Sequence, residues 1–376
     1  MIKIIVAADY CPHHRISKLL QEKRYDEIFG QIKPILRNVD YSIVNLEAPI
    51  ILDKAKPLDK SGPALKTTEN AMESIKYAGF NAVTLANNHF YDFGETGIRD
   101  TINSCIKHNI DFVGGGNNLI DASKTLYKNI KSSSIAFINI CENEFSIATE
   151  TKGGSSPLNL VDNHYQIKEA KAKANYVIVI IHGGHEGYQL PSPRMKKTYR
   201  FFIDSGADVV LNHHQHCYSG HEIYKGKPIF YGLGNFCFDW EGKRDSIWNE
   251  GFMVELILFE DSINFKLHFY KQGEDKPGVV VIEDPNTVEH FFNNISNLST
   301  TIGDDKTLSK EFVSFANRNS KFLKSILEPY SGRFLKSLYY RGILPSFIEP
   351  KRKQILTMIR CESHHDRLVQ LLKSEL

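Results

Sequence analysis

The chain has 376 residues, 41% of them hydrophobic and 24% charged, enough apolar material for one large or two ordinary globular domains. Its 46 Lys and Arg against 44 Asp and Glu leave a net charge of +2, which gives no basis for a nucleic-acid partner. No apolar run reaches the roughly 18 residues that span a bilayer, and the short apolar start MIKIIVAADYC lacks the longer core of a secretory signal. Six scattered cysteines without a CxxC pair support neither a disulfide framework nor a zinc knuckle. The expectation is a soluble, cytoplasmic protein with no membrane span.

In chain order, short Val- and Ile-rich runs at Ile2–Ala8, Ser42–Leu46, Ala82–Leu85, Ser134–Ile140, Tyr176–Ile181 and Asp208–Leu211 read as strands buried on both faces. Between them Glu69–Ala78, Thr96–His108, His164–Ala174 and Arg194–Ser205 carry helical periodicity, so the pattern predicts an α/β layered domain. The glycines Gly114-Gly115-Gly116 fit no GxxxxGK[ST] pattern and read as a turn. From Lys227 to Phe269 the pattern becomes that of antiparallel strands and hairpins. Beyond residue 285 it turns helical, over Thr307–Leu327 and Lys351–Leu372, with the proline-punctuated break ILPSFIEP between them. The predicted division is a domain over 1–285 and a helical C-terminal region over 286–376. Lys351-Arg352-Lys353 reads as a solvated helix start.

Nearly every predicted strand ends in a residue of metal-ligand type. Asp9 follows the first, Asn45-Leu46-Glu47 the second, Asn87-Asn88-His89 the third, His182 a later one and His213-His214-Gln215-His216 the last. Loops at the carboxyl ends of strands are where α/β proteins build their sites, and mixed oxygen and nitrogen donors suit Mn²⁺, Fe or Zn²⁺. In extended backbone, His214 and His216 point the same way and can serve one metal cluster.

The ordered blocks VNLEAPI, GFNAVTLANNHFYDFGETGIRDTI, VIVIIHGGHEGY, FFIDSGADVVLNHHQH and KGKPIFYGLGNFCFD resemble the CapA-type capsule and poly-γ-glutamate biosynthesis family, within the calcineurin-like metallophosphoesterase superfamily. The resemblance runs over roughly residues 1–270 and does not reach the C-terminal helices. It implies a four-layer α/β/β/α sandwich with a two-metal centre. Asp9 matches the aspartate of the first metal, and Glu47 the carboxylate that bridges both metals. Asn88, His182 and His214 match ligands of the second metal, and His216 a ligand of the first. His89 stands where the superfamily places its general acid, and Glu186 matches the family's acidic position after H-x-G; the two are taken as the catalytic pair. Asp9-Tyr10-Cys11 departs from the superfamily's Asp-x-His, which leaves the first metal one nitrogen short unless Cys11 or His13 substitutes. Asn212 replaces a usual glycine, a change that Asn tolerates if the backbone there is left-handed.

Two divalent ions so placed would polarise a substrate oxygen and acidify a water molecule. The resemblance therefore implies a metal-dependent hydrolase that cleaves a phosphoester or amide bond in a polymer precursor or a phosphorylated or glutamylated small molecule. Other capsule-biosynthesis proteins are its expected partners. The alternative is a non-catalytic component of a synthase or export complex.

Overall fold

The computed structural model describes residues 1–318 and 320–374; residues 319, 375 and 376 of the expected helical region lie outside the described residues. The chain divides into two compact units, Met1–Ser309 and Lys310–Leu376.

The strands of the first unit are, in chain order, β1 (Ile2–Tyr10), β2 (Tyr41–Leu46), β3 (Ala82–Thr84), β4 (Asp111–Val113), β5 (Gly115–Gly116), β6 (Leu126–Ile130), β7 (Ser133–Cys141) and β8 (Gly154–Ser155). They continue with β9 (Tyr176–His182), β10 (Val209–His213), β11 (His221–Tyr224), β12 (Lys227–Phe230), β13 (Asn235–Cys237), β14 (Glu250–Leu258), β15 (Ile263–Gln272) and β16 (Val279–Val281). One sheet runs β16-β15-β14-β1-β2-β3-β4, with β13 pairing the end of β1. Its β1 to β4 are mutually parallel, while β14 to β16 add as an antiparallel meander. The other sheet runs β11-β12-β10-β9-β7-β6, parallel through β12, β10, β9 and β7 with antiparallel edges.

The central strands IKIIVAADY and YVIVIIH are buried almost throughout, as expected of parallel strands covered on both faces. The two sheets face one another through a shared core. Tyr41 of β2 stacks on Phe137 of β7 at 5.3 Å, and Phe230 of β12 meets Phe265 of β15 edge-on at 5.0 Å. On the outer face of the first sheet lie the helices Glu69–Ala78 and Gly94–His108, which bury Met72, Ile75, Ile98 and Cys105. The Tyr10 and Ser74 hydroxyls, 2.8 Å apart, tie β1 to the first of them. Leu160–Lys173 and Pro193–Ser205 cover the second sheet, burying Ile167, Tyr199 and Phe202. The result is a four-layer α/β/β/α sandwich.

Three short helices carry no clear periodic signal in the sequence: Arg15–Gln21, Tyr25–Phe29 and Lys33–Arg37. The helix Pro285–Gly303 belongs to the first unit, where Phe291 stacks on Phe269 at 5.1 Å. The glycine run is not a plain turn. Gly115–Gly116 pairs with Gly154–Ser155, and a Cβ on Gly114, at φ +88, would lie 2.0 Å from Asn139 Oδ1. Close approach of backbone to the neighbouring sheet is what requires glycine there. The second unit is helical: Ser320–Leu327, Arg333–Tyr340, Arg352–Arg360 and Glu362–Ser374, with the end of Asp305–Arg318. Among the described residues no helix is long and apolar enough to cross a membrane.

Candidate metal centre

The parallel strands of both sheets end at the same edge of the sandwich, and there the side chains converge. β1 shifts register between Val6 and Asp9, where β13 joins it. This bulge turns the fully buried Asp9 carboxylate between the sheets. Asn45 Nδ2 donates to Asp9 Oδ1 at 2.8 Å, and the His214 backbone N–H donates to Oδ2 at 3.0 Å. His213 Nδ1 lies 2.8 Å from Asp9 Oδ1 and 2.9 Å from His182 Nδ1. On the other side of the His182 ring, Nε2 lies 2.9 Å from His214 Nδ1 and 3.0 Å from Asn88 Oδ1. Glu47 Oε1 stands 3.9 Å from His216 Nε2 and 4.0 Å from His182 Nε2.

Two groups emerge in which one atom from each residue lies within 4.8 Å of the others: Asp9, His182 and His213, and Glu47, His214 and His216. These buried groups could hold a metal ion, and their chemistry fits one. Neither carboxylate oxygen of Glu47 has a hydrogen-bond partner among the described residues, although the side chain is fully buried. A buried carboxyl without a donor is costly unless a cation neutralises it. Burial pushes the Glu47 carboxyl well above the ordinary range, and Asp9 and Glu186 add to the shift. The imidazoles are driven the other way. Burial, reinforced by His214 and His213, lowers His182 well below its ordinary value. Burial outweighs the pull of Asp9 and carries His214 and His216 down to about 4. Neutral imidazole is the form that ligates metals.

The loop after β10 is wound tightly to present these rings. His214 (φ 102) and His216 (φ 55) both occupy left-handed backbone, a conformation that costs a side-chain-bearing residue of order 1–3 kcal/mol and persists where the surroundings enforce it. Asn212, expected to be tolerated in place of glycine through left-handed backbone, instead lies in β10. Its Nδ2 donates to the carbonyls of Gly183 at 2.9 Å and Tyr231 at 3.1 Å, while its Oδ1 accepts from the Tyr199 hydroxyl at 2.7 Å. The side chain thus pins the loop's root. Asn235 donates through Nδ2 to the Trp248 carbonyl at 3.0 Å, so its Oδ1 faces His216 Nδ1 at 2.8 Å. That contact fixes the proton on Nδ1 and leaves Nε2 directed toward Glu47.

Of the residues singled out from the sequence, Asp9, Glu47, Asn88, His182, His214 and His216 come together in this network. His89 sits beside it: its Nδ1 lies 2.7 Å from Asp92 Oδ2 and 3.3 Å from Lys60 Nζ. Lys60 is itself ion-paired with Asp92. Glu186 is exposed and stands outside both groups, yet its charge is near enough to act on Glu47 and His216. Cys11 is buried in an apolar cluster with Leu65 and Phe238, and His13 stacks on Trp240 at 5.7 Å; neither joins the two groups. Three contributors were not picked out beforehand. His213 was visible in the histidine run, and Asp92 lies three residues after His89 in the same turn, but Lys60 comes from a loop without any pattern.

A two-sheet sandwich with carboxylates and imidazoles gathered where the strands end defines a metallophosphoesterase-like protein. Residues 3–240 match the family described as bacterial capsule synthesis protein PGA_cap, and the chain belongs to that family. It is 32% identical over 255 residues to the capsule biosynthesis protein CapA of Bacillus anthracis, an alignment covering 65% of this chain and 62% of the relative. It is 35% identical over 240 residues to the PGA biosynthesis protein CapA of Bacillus subtilis (strain 168), covering 61% and 62%. A probable polyglutamine synthesis accessory protein of Mycobacterium tuberculosis is 26% identical over 252 residues, covering 61% and 63%. The chain thus spans less than two thirds of the length of these relatives. Among solved structures, a hypothetical protein from Thermus thermophilus aligns with 72% of this chain and 99% of its own, at 13% identity and a TM-score of 0.48.

Proposed function

We propose that the protein is a metal-dependent hydrolase of capsule or poly-γ-glutamate biosynthesis. Its substrate in this reading is a polymer precursor or a phosphorylated or glutamylated small molecule, cleaved at a phosphoester or amide bond. The observation that carries the proposal is Glu47, a fully buried carboxyl without a hydrogen-bond donor, set among neutral imidazoles. Asp9, His182 and His213 would hold one divalent ion, and Glu47, His214 and His216 a second, with Asn88 against His182. The mixed oxygen and nitrogen donors suit Mn, Fe or Zn. Such ions would supply Lewis-acid polarisation of a substrate oxygen and acidify water.

The chain's own part is to orient and to move a proton. Asp92, held by Lys60, fixes His89 through Nδ1 and leaves its other ring nitrogen to protonate a leaving group or to stabilise negative charge. Glu186, exposed and within electrostatic reach of Glu47, is the second candidate catalytic group. The relatives' names support the biosynthetic setting and association with other proteins of polymer synthesis.

The test is metal analysis of the purified, metal-loaded chain together with turnover of a phosphodiester, a phosphomonoester and a γ-glutamyl substrate, with and without chelator. Two equivalents of metal and chelator-sensitive turnover are expected. Two equivalents without turnover would favour the non-catalytic assembly role suggested by the word accessory in the mycobacterial relative's name. Failure to take up metal would refute the reading.

A further inference from the structure

The second unit distributes its side chains in an inverted way. On Ser320–Leu327 the inward residue is Ser325, whose hydroxyl lies 2.9 Å from that of Tyr340. The following Glu328 is likewise buried, accepting the Phe347 backbone N–H at 2.8 Å. The residues turned outward are Phe322, Leu323, Ile326 and Leu327, each more than half exposed. Their spacing of i, i+1, i+4 and i+5 places them on one face of the helix. The same occurs on Arg333–Tyr340, where Phe334 is 73% exposed, and on Arg352–Arg360, where Leu356 and Ile359 are exposed. A self-sufficient small helical domain would turn these residues inward, and exposed apolar surface on this scale marks an interaction face.

Charge identifies what the face meets. Residues 310–376 hold thirteen Lys and Arg against six Asp and Glu, whereas the rest of the chain has an acidic excess. The near-neutral total therefore conceals a strongly basic unit. Its cations include the exposed Lys321, Arg333, Lys336, Arg352 and Lys353, which neighbour the apolar residues in sequence on the same helices. Basic amphipathic helices too short to span a bilayer bind in the interfacial plane of anionic membranes, with apolar side chains among the acyl chains and Lys and Arg at the headgroups.

We infer that the Lys310–Leu376 unit docks on the surface of an anionic phospholipid membrane and thereby holds the Met1–Ser309 unit at that surface. The inference is independent of the metal centre. It is tested by co-sedimentation of the full chain with phosphatidylcholine vesicles, with or without about 30% phosphatidylglycerol. Three proteins are compared: wild type, Phe322→Ser/Ile326→Ser/Phe334→Ser, and Lys321→Glu/Lys336→Glu/Lys353→Glu. Circular dichroism and a thermal melt confirm that each variant remains folded. Wild type should bind the anionic vesicles at least about tenfold more tightly than the neutral ones, and about tenfold less tightly at 0.5 M salt, since exposed charges are screened there. Both variants should lose at least about tenfold in affinity. Absence of binding to anionic vesicles would overturn the inference, as would equal binding to both vesicle types. A stable dimer in sedimentation equilibrium that the serine variant converts to monomer would also overturn it, because a second copy would then be the occupant of the face.

Discussion

Replacing Glu47 with Gln separates a metal-binding carboxylate from a structural one by reversing the sign of the stability change. In metal-free protein the Glu47 carboxyl is fully buried, its two oxygens have no donor, and Asp9 lies in the same site. With its pKa raised by burial and by Asp9, Glu47 must either bury a charge or take up a proton on folding at neutral pH; a cost of this kind is about 1–3 kcal/mol, and Gln, which fills nearly the same space and does not ionise, escapes it. Near 60 °C unfolding entropy is about 2.1 cal/mol/K per residue, so for the unit Met1–Ser309 each kcal/mol shifts the Tm by about 1.5 °C. In chelator the variant should therefore melt about 2–4 °C above wild type. With Mn²⁺ at about a hundred times its Kd, each bound ion adds about 2.7 kcal/mol, or about 4 °C, so the variant should lose that gain for the ion facing Glu47, His214 and His216 and keep it for the ion facing Asp9, His182 and His213. The order of the two melting curves should cross as metal is added. Differential scanning calorimetry in chelator and in a Mn²⁺ series reads both effects. A variant that melts below wild type in chelator yet shows the full metal-induced shift would refute the reasoning, because Glu47 would then be a structural group with an unseen partner.

Three further outcomes are expected. His89→Asn should retain metal and Tm while turnover falls by about 10²–10⁴-fold, the usual contribution of a positioned acid or base; a drop in Tm with unchanged activity per folded molecule would make His89 a packing residue. Asn235→Ala removes the acceptor that sets the His216 tautomer and should weaken metal binding about 10–100-fold, read by isothermal titration; unchanged affinity would show that the tautomer is set elsewhere. At Glu255, burial raises the carboxyl's pKa, but the hydrogen bond from His268 and the pairing with Lys3 outweigh it and hold the group below its ordinary range. The stability from this lowered pKa is present above the ordinary carboxylate range and is lost as pH falls through the lowered value, so Glu255→Gln should flatten the acid limb of a stability–pH profile, and an unchanged limb would contradict the pairing.

The parts of the fold legible in the sequence are those whose burial leaves a continuous or periodic trace. The runs that became β1, β2, β7 and β9 are predominantly apolar because sheet and helix cover both faces. Glu69–Ala78 ends where Gly79 adopts φ 104, a stop signal the sequence states outright. The helices between residues 15 and 37 are five to seven residues long and are marginal by propensity. They exist because Ile16, Leu20, Ile28 and Phe29 reach the core, which no local pattern reveals. At the site, strand-end residues were readable from position alone. Lys60 was not, because it reaches Asp92 from a loop whose shape is fixed by long-range bonds such as the Leu65 N–H to Asp92.

His213 shows how a sound local rule can select an incomplete set. Residues two apart share a side in extended backbone, so HxH favoured His214 and His216 and set their neighbour aside. The extended backbone, however, stops at His213, the last residue of β10. There the pairing of His213 with His182 across β10 and β9 brings their rings together beside Asp9, and left-handed backbone at His214 then turns the chain toward Glu47. This placement bears on Asp9-Tyr10-Cys11, where the first strand lacks the histidine usual in the superfamily. His213 stands within 2.8 Å of the same carboxylate and supplies an imidazole from the second sheet instead of the first. In the proposed centre each ion would then face one carboxylate and two imidazoles. The unequal affinities that a missing donor at β1 would produce are not required by the donor count, and the strained turn after β10 is the local cost of delivering three rings from one strand end.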